Sequence, residues 1–235
     1  MKLGIMQPYF FPYLGYFQLI HSVDRYILFD TPQYERRSWM NRNRIINLKE
    51  DSTYITVGTV KAPQKTPLNQ IMLTEDDSWK QKMLGQLEIY RKLAPNYEEV
   101  IAFIKEVFAA DCKTLVELNQ LSLQKTCDFL GLDKKMELYS EMFLDVPEDC
   151  EPDEWALYIT KALGYETYIN APGGEKFFDR DKYKKAGIEL KFIQPQLTPY
   201  VQRIGRWEPG LSILDVMMFN SRDEIREMLE KYTLQ

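Results

Sequence analysis

Leu3-Gly4-Ile5-Met6-Gln7-Pro8-Tyr9-Phe10-Phe11-Pro12-Tyr13-Leu14-Gly15-Tyr16-Phe17, with Arg25-Tyr26-Ile27-Leu28-Phe29-Asp30 shortly after it, decides the fold class. Leu3 to Met6 is a short apolar run that reads as a strand. Pro8 and Pro12 bracket an aromatic loop, Gly15 to Val23 has helical spacing, and Arg25 to Asp30 reads as a second strand ending in an acid. A strand, a helix and a strand in such short compass form a βαβ unit, which implies a parallel sheet. Ligands on such sheets bind beyond the carboxyl ends of the strands. Those ends are Gln7-Pro8 and Asp30-Thr31-Pro32-Gln33, and they locate the expected site.

Outward from this unit, Tyr54 to Val57 alternates as a third strand and leads to a polar loop from Lys61 to Asn69. Ser78 to Leu93, Glu98 to Ala110 and Thr114 to Leu130 read as amphipathic helices, the last stopping at Gly131. Further on come a helix over Asp153 to Leu163, a strand over Thr167 to Asn170, a helix ending at Gly187 and a strand over Ile188 to Ile193. A loop from Thr198 to Gly210 precedes helical segments at Ser212–Asn220 and Arg222–Tyr232. The expectation is one α/β domain over residues 1–235, a mostly parallel sheet with flanking helices and a central helical insertion at about 76–135.

Composition narrows the function. The 235 residues include 45% hydrophobic and 28% charged side chains, which is ordinary globular usage. A net charge of −5 argues against extensive nucleic-acid binding. Three scattered cysteines (Cys112, Cys127, Cys150) form no CxxC pair and suggest reduced thiols in a cytoplasmic protein. Neither a signal peptide nor a run able to span a bilayer is apparent, so no membrane insertion is expected. The single histidine, His21, excludes a site built on several imidazoles; no metal site is expected, and no cofactor can be named.

Several clusters could carry chemistry. Gly15 permits a tight turn into a helix whose N-terminus favours an anion, with Tyr13 and Tyr16 as hydrogen-bond donors there; the plainer reading is an aromatic plug under the loop. Arg36, Arg37, Arg42 and Arg44 put four arginines into nine positions. Guanidinium forks bind phosphate or carboxylate bidentately, so Arg42 and Arg44 would grip an anionic small substrate while Asn43, Gln7 and Gln33 orient it; otherwise the run is a solvated basic loop. Gly173 and Gly174 let backbone amides approach a ligand, and Lys176 could add charge, although the Walker spacing is absent. Tyr200 and Gln202 are further candidate contacts. Asp30 and Asp215 are the candidate general bases, or else a helix cap and an arginine partner.

The order strand, Tyr13-Leu14-Gly15-Tyr16, helix, strand resembles the nucleotidyltransferase superfamily with its His-x-Gly-His signature, but tyrosine stands at both histidine positions. Taken together, Gln7-Pro8-Tyr9-x-x-Pro12-Tyr13-Leu14-Gly15-Tyr16-Phe17, Asp30-x-x-Gln33-Tyr34, Arg42-Asn43-Arg44-Ile45, Pro172-Gly173-Gly174, Ala186-Gly187-Ile188, Tyr200-x-Gln202 and Leu211-Ser212-Ile213-Leu214-Asp215 resemble the WbqC-like family. That resemblance implies an accessory enzyme of bacterial surface-polysaccharide (O-antigen type) or natural-product biosynthesis, a transferase of acyl or aminoacyl groups, with partner enzymes of the same pathway. Alternatives are ATP-dependent nucleotidyl transfer and a non-catalytic module that binds a nucleotide-sugar or scaffolds other enzymes.

Overall fold

The computed structural model describes residues 1–147 and 149–235. In chain order the elements are β1 (Lys2–Met6), α1 (Leu14–Ser22), β2 (Arg25–Leu28), β3 (Arg42–Ile46), β4 (Ser52–Thr56), α2 (Ser78–Leu87), α3 (Tyr97–Ala109), α4 (Leu115–Leu130), β5 (Glu137–Leu138), α5 (Trp155–Ala162), β6 (Thr167–Asn170), α6 (Arg180–Lys185), β7 (Glu189–Pro195), α7 (Ile213–Phe219), α8 (Arg222–Leu229) and β8 (Tyr232–Leu234). Six strands form one sheet in the order β5-β2-β1-β6-β7-β8. Every pairing in it is parallel except the last, where β8 runs antiparallel to β7. The fold is α/β with a mostly parallel sheet, as expected.

Alternation along the strands builds a core on each face of this sheet. Leu3, Ile5, Ile27, Tyr168, Leu190 and Phe192 join Ala156, Leu157 and Ile159 of α5 and Tyr183 of α6 in one cluster. Tyr26, Leu28, Ile169 and Ile193 point the other way into a larger cluster with Phe17 and Ile20 of α1 and with the helical block α2–α4. Gly4 is required on that second face, because a Cβ there would lie 2.8 Å from Cδ2 of the buried Tyr26 ring. Local signals set the helix ends. Thr114 and Glu117 form a capping box at the start of α4, and Gly131 closes it in the left-handed region at φ 71°.

Three segments depart from the sequence expectation. Tyr54 to Thr56 does not join the main sheet. It belongs to β4, which pairs antiparallel with β3 in a separate hairpin. The end of the arginine-rich stretch, Arg42–Ile46, is therefore a strand, with Asn43 and Ile45 buried on one face and Ile46 buried on the other. The tail helix ends at Leu229, and residues 232–234 turn back to cover the β7 edge. The helix expected to reach Leu93 stops at Leu87, where a 3-10 turn over Glu88–Tyr90 begins.

Candidate functional site

β1 leads to β2 and then to β5 at one edge of the sheet, after which the chain crosses back to place β6 on the other side of β1. The strand order thus reverses between β1 and β6, and such a switch point opens a crevice at the carboxyl ends of the strands. A cleft of ≈ 820 Å³ lies there. β1 and its end supply Ile5, Met6 and Gln7; the segment after β2 supplies Phe29, Thr31, Pro32 and Glu35. The N-terminal part of α5 adds Trp155, Ala156 and Ile159, β6 adds Tyr168 and Asn170, and the following turn adds Gly173, Gly174, Phe177 and Phe178. Phe29 and Trp155 pack with Tyr139 as a trio of rings, with centroids 5.2 to 5.9 Å apart. A Cβ on Gly173 would meet nothing within 4 Å, so that turn opens onto free space.

Gln7, Gly173 and Gly174 are the residues expected from sequence that line this cleft. Sequence reasoning missed Asn170, Glu35 and the aromatic walls. Asn170 and Glu35 flank motifs already singled out, and the period-2 pattern of β6 sets Tyr168 and Asn170 on one face, so that signal was available.

Two other expected residues, Tyr16 and Asn43, help to support the loop between β1 and α1. Tyr16 donates its hydroxyl to the Gln7 carbonyl at 2.8 Å, and the Asn119 side chain donates to the Pro8 carbonyl at 2.8 Å. The Asn43 side chain donates to the carbonyls of Phe10 (3.1 Å) and Phe11 (2.9 Å), and the Ser212 hydroxyl donates to the latter at 2.7 Å. The amide of Ile213 donates to the Pro12 carbonyl at 2.8 Å. Five carbonyls of one short loop are thus held by residues far apart in sequence. Tyr13 covers Gly15 with its own ring, since a Cβ on Gly15 would lie 2.4 Å from Tyr13 Cε2. The free helix terminus expected at Tyr13 and Gly15 is therefore roofed over.

Asp215 is fully buried, away from the cleft, and its carboxylate accepts from the hydroxyls of Tyr90 (2.6 Å) and Tyr200 (2.5 Å) and from Gln202 Nε2 (2.9 Å). Burial pushes the Asp215 carboxyl above its ordinary range, and the three donors oppose that shift. The same burial, reinforced by the Asp215 charge, raises the Tyr90 and Tyr200 hydroxyls. Gln202 also donates to the Glu208 carbonyl at 3.0 Å, and the Glu208 carboxylate stands 3.5 Å from Arg44 Nη1. Arg44 further donates to the carbonyls of Pro209 and Gly210, so it ties hairpin β3–β4 to the segment before α7. Arg42 lies over the Tyr54 ring, 4.0 Å from its centroid. Neither arginine lines the cleft.

Asp30 is buried at the end of β2, where its carboxylate accepts from the Ser140 amide (2.9 Å) and hydroxyl (2.5 Å). It anchors the chain after β5. Gln33 and Lys176 are exposed and lie outside the cleft lining. His21 is half-buried in the last turn of α1, at the end remote from the cleft. Among the described residues no group of three or more His, Cys, Asp or Glu could hold a metal ion, and no helix is long and apolar enough to cross a membrane.

Comparison with known proteins agrees with the motifs. The chain is 28% identical over 231 residues to the uncharacterized protein Rv1507c of Mycobacterium tuberculosis (strain ATCC 25618 / H37Rv), a match covering 97% of each chain. No solved structure matches it. The family model of the WbqC-like proteins matches residues 7–227, from the loop after β1 to the last turns of α8, and the chain belongs to the WbqC-like protein family.

Proposed function

We propose that the chain is a group-transfer enzyme of surface-polysaccharide or related natural-product assembly, and that it binds its small-molecule substrate in the cleft between β1 and β6. The observation that carries this reading is the cleft itself, which has the size of a small-molecule site and lies where the strand order reverses. Its walls are aromatic and its polar groups few, as orientation of one ligand requires. The family's setting points to acyl or aminoacyl transfer, in which an activated carbonyl is passed to a nucleophile that must lose a proton. Asp30 and Asp215 hold their oxygens against donors of the fold, so the general base in this reading is Glu35 at the rim of the cleft.

The strand order favours a second reading, nucleotidyl transfer on the same edge. Against it, Tyr13 and Tyr16 take the histidine positions, and Tyr16 gives its hydroxyl to the Gln7 carbonyl.

Thermal-shift screening against nucleotide-sugars, acyl-CoAs, amino acids and ATP with magnesium separates these readings. A ligand at about a hundred times its Kd adds roughly 2.7 kcal/mol, a visible shift in Tm. The shift is expected to disappear in Gly173→Trp, which fills the cleft from an open position. Pyrophosphate release with ATP and magnesium would replace acyl transfer by nucleotidyl transfer, and a ligand shift undiminished in a folded Gly173→Trp protein would remove the cleft from the proposal.

A further inference from the structure

Among the described residues that line the cleft, Glu35 alone carries a formal charge. The arginines that sequence reasoning assigned to an anion lie elsewhere: Arg42 on Tyr54, Arg44 with Glu208. Arg36, Arg37 and Lys176 are exposed and do not line the cleft either.

The remaining polar groups include acceptors turned toward the cleft. Asn170, only 8% exposed, donates its Nδ2 to the Tyr168 hydroxyl, which in turn donates to the Ile5 carbonyl at 3.4 Å. Among the described residues no donor reaches Asn170 Oδ1, which lies beside Gly174, where a Cβ would stand 3.1 Å from it. The threonine hydroxyl of Thr31 can accept as well. Phe29 and Trp155 present aromatic rings, whose faces attract cations.

Resting on the cleft as the substrate site, we infer that it receives the cationic, amine-bearing end of its ligand, with Glu35 as the counter-charge and Asn170 Oδ1 as an acceptor for an ammonium proton. An anionic group placed there would face a carboxylate and an unpaired carbonyl oxygen, with no lining cation to offset them. The structure thus reverses the sign of the ligand expected from the arginine cluster.

One sugar ring in three charge states tests this: D-glucosamine below neutral pH, D-glucose and D-glucuronate, followed by saturation-transfer NMR. Wild-type protein is expected to give a several-fold stronger response with glucosamine than with glucose, and the weakest with glucuronate. Glu35→Gln should bring glucosamine down to the level of glucose while Tm stays at the wild-type value. Glucuronate equal to or above glucosamine, an amine preference that survives Glu35→Gln, or no response from any of the three would overturn the inference. Gly173→Trp keeps the two proposals apart. Ring binding that this variant blocks, without an amine preference, ends the inference and leaves the cleft as the site. Ring binding that it does not touch removes the site.

Discussion

The side-chain amide of Asn43 donates to the carbonyl of Phe11 at 2.9 Å, and Phe11 holds a left-handed backbone at φ 38°. A β-hairpin outside the main sheet therefore fixes the strained turn that begins the loop's return to α1. Asn43→Ala leaves the Phe10 carbonyl without its donor and the Phe11 carbonyl with Ser212 alone. Loss of about 1–3 kcal/mol is expected in urea unfolding, the cost of buried groups left unpaired.

Asp215 gives a pH-dependent prediction. Burial raises its folded-state pKa above the ordinary value of 3.8, so the native protein holds this proton more tightly than the unfolded chain does. Its contribution to stability is complete below the unfolded pKa and is lost as pH rises through the folded one. Urea midpoints between about pH 4 and 7 should show this decline in wild type, and Asp215→Asn should flatten it. Equal slopes for both proteins would show that the three donors cancel the burial, and a rise in wild type relative to Asp215→Asn would show that they outweigh it.

Gly4 and Gly15 separate two kinds of close packing. Gly4→Ala drives a methyl group against the buried Tyr26 ring and should cost about 1–3 kcal/mol. Gly15→Ala meets first the half-buried Tyr13 ring, which can swing away. That variant should lose less than about 1 kcal/mol, and Tyr13 should become more exposed to solvent, as tyrosine fluorescence quenching would report.

The arginines give the fourth test. Because neither lines the cleft, Arg42→Ala and Arg44→Ala should each leave the affinity for a cleft ligand within a factor of two. Arg44→Ala should still lower Tm, since it releases Glu208 and the carbonyls of Pro209 and Gly210. A large loss of ligand affinity in either variant, with Tm unchanged, would restore the anion grip read from sequence.

The sheet was legible wherever apolar periodicity and turn residues agreed, as in β1, α1 and β2 or in the strand Thr167–Asn170. It was not legible where pairing supplies the structure. β5 has two residues and β8 three, and each exists because a neighbouring strand offers its edge. The site followed the same division. Gln7, Gly173 and Gly174 sit at strand ends, which sequence can place. That Arg42 and Arg44 lie away from the cleft was not legible, because charge density says nothing of direction and the hairpin register that aims them is a tertiary fact. Phe29, Trp155 and Phe177 gave no signal of their own, since an aromatic side chain carries the same signature whether it meets another ring or a ligand.

The loop after β1 is held by Asn43, Asn119 and Ser212, which lie 32, 111 and 201 residues from their acceptors in the chain. Such separations delay formation, because long loops must close before these bonds can be made. β1 precedes the other elements of the fold in sequence, yet the turn after it gains its bond from Ser212 only when the segment before α7 has docked. The described lining of the cleft runs from Ile5 to Phe178, so it is all synthesised before residue 212, and what the late segment completes is the turn at Phe11 behind it.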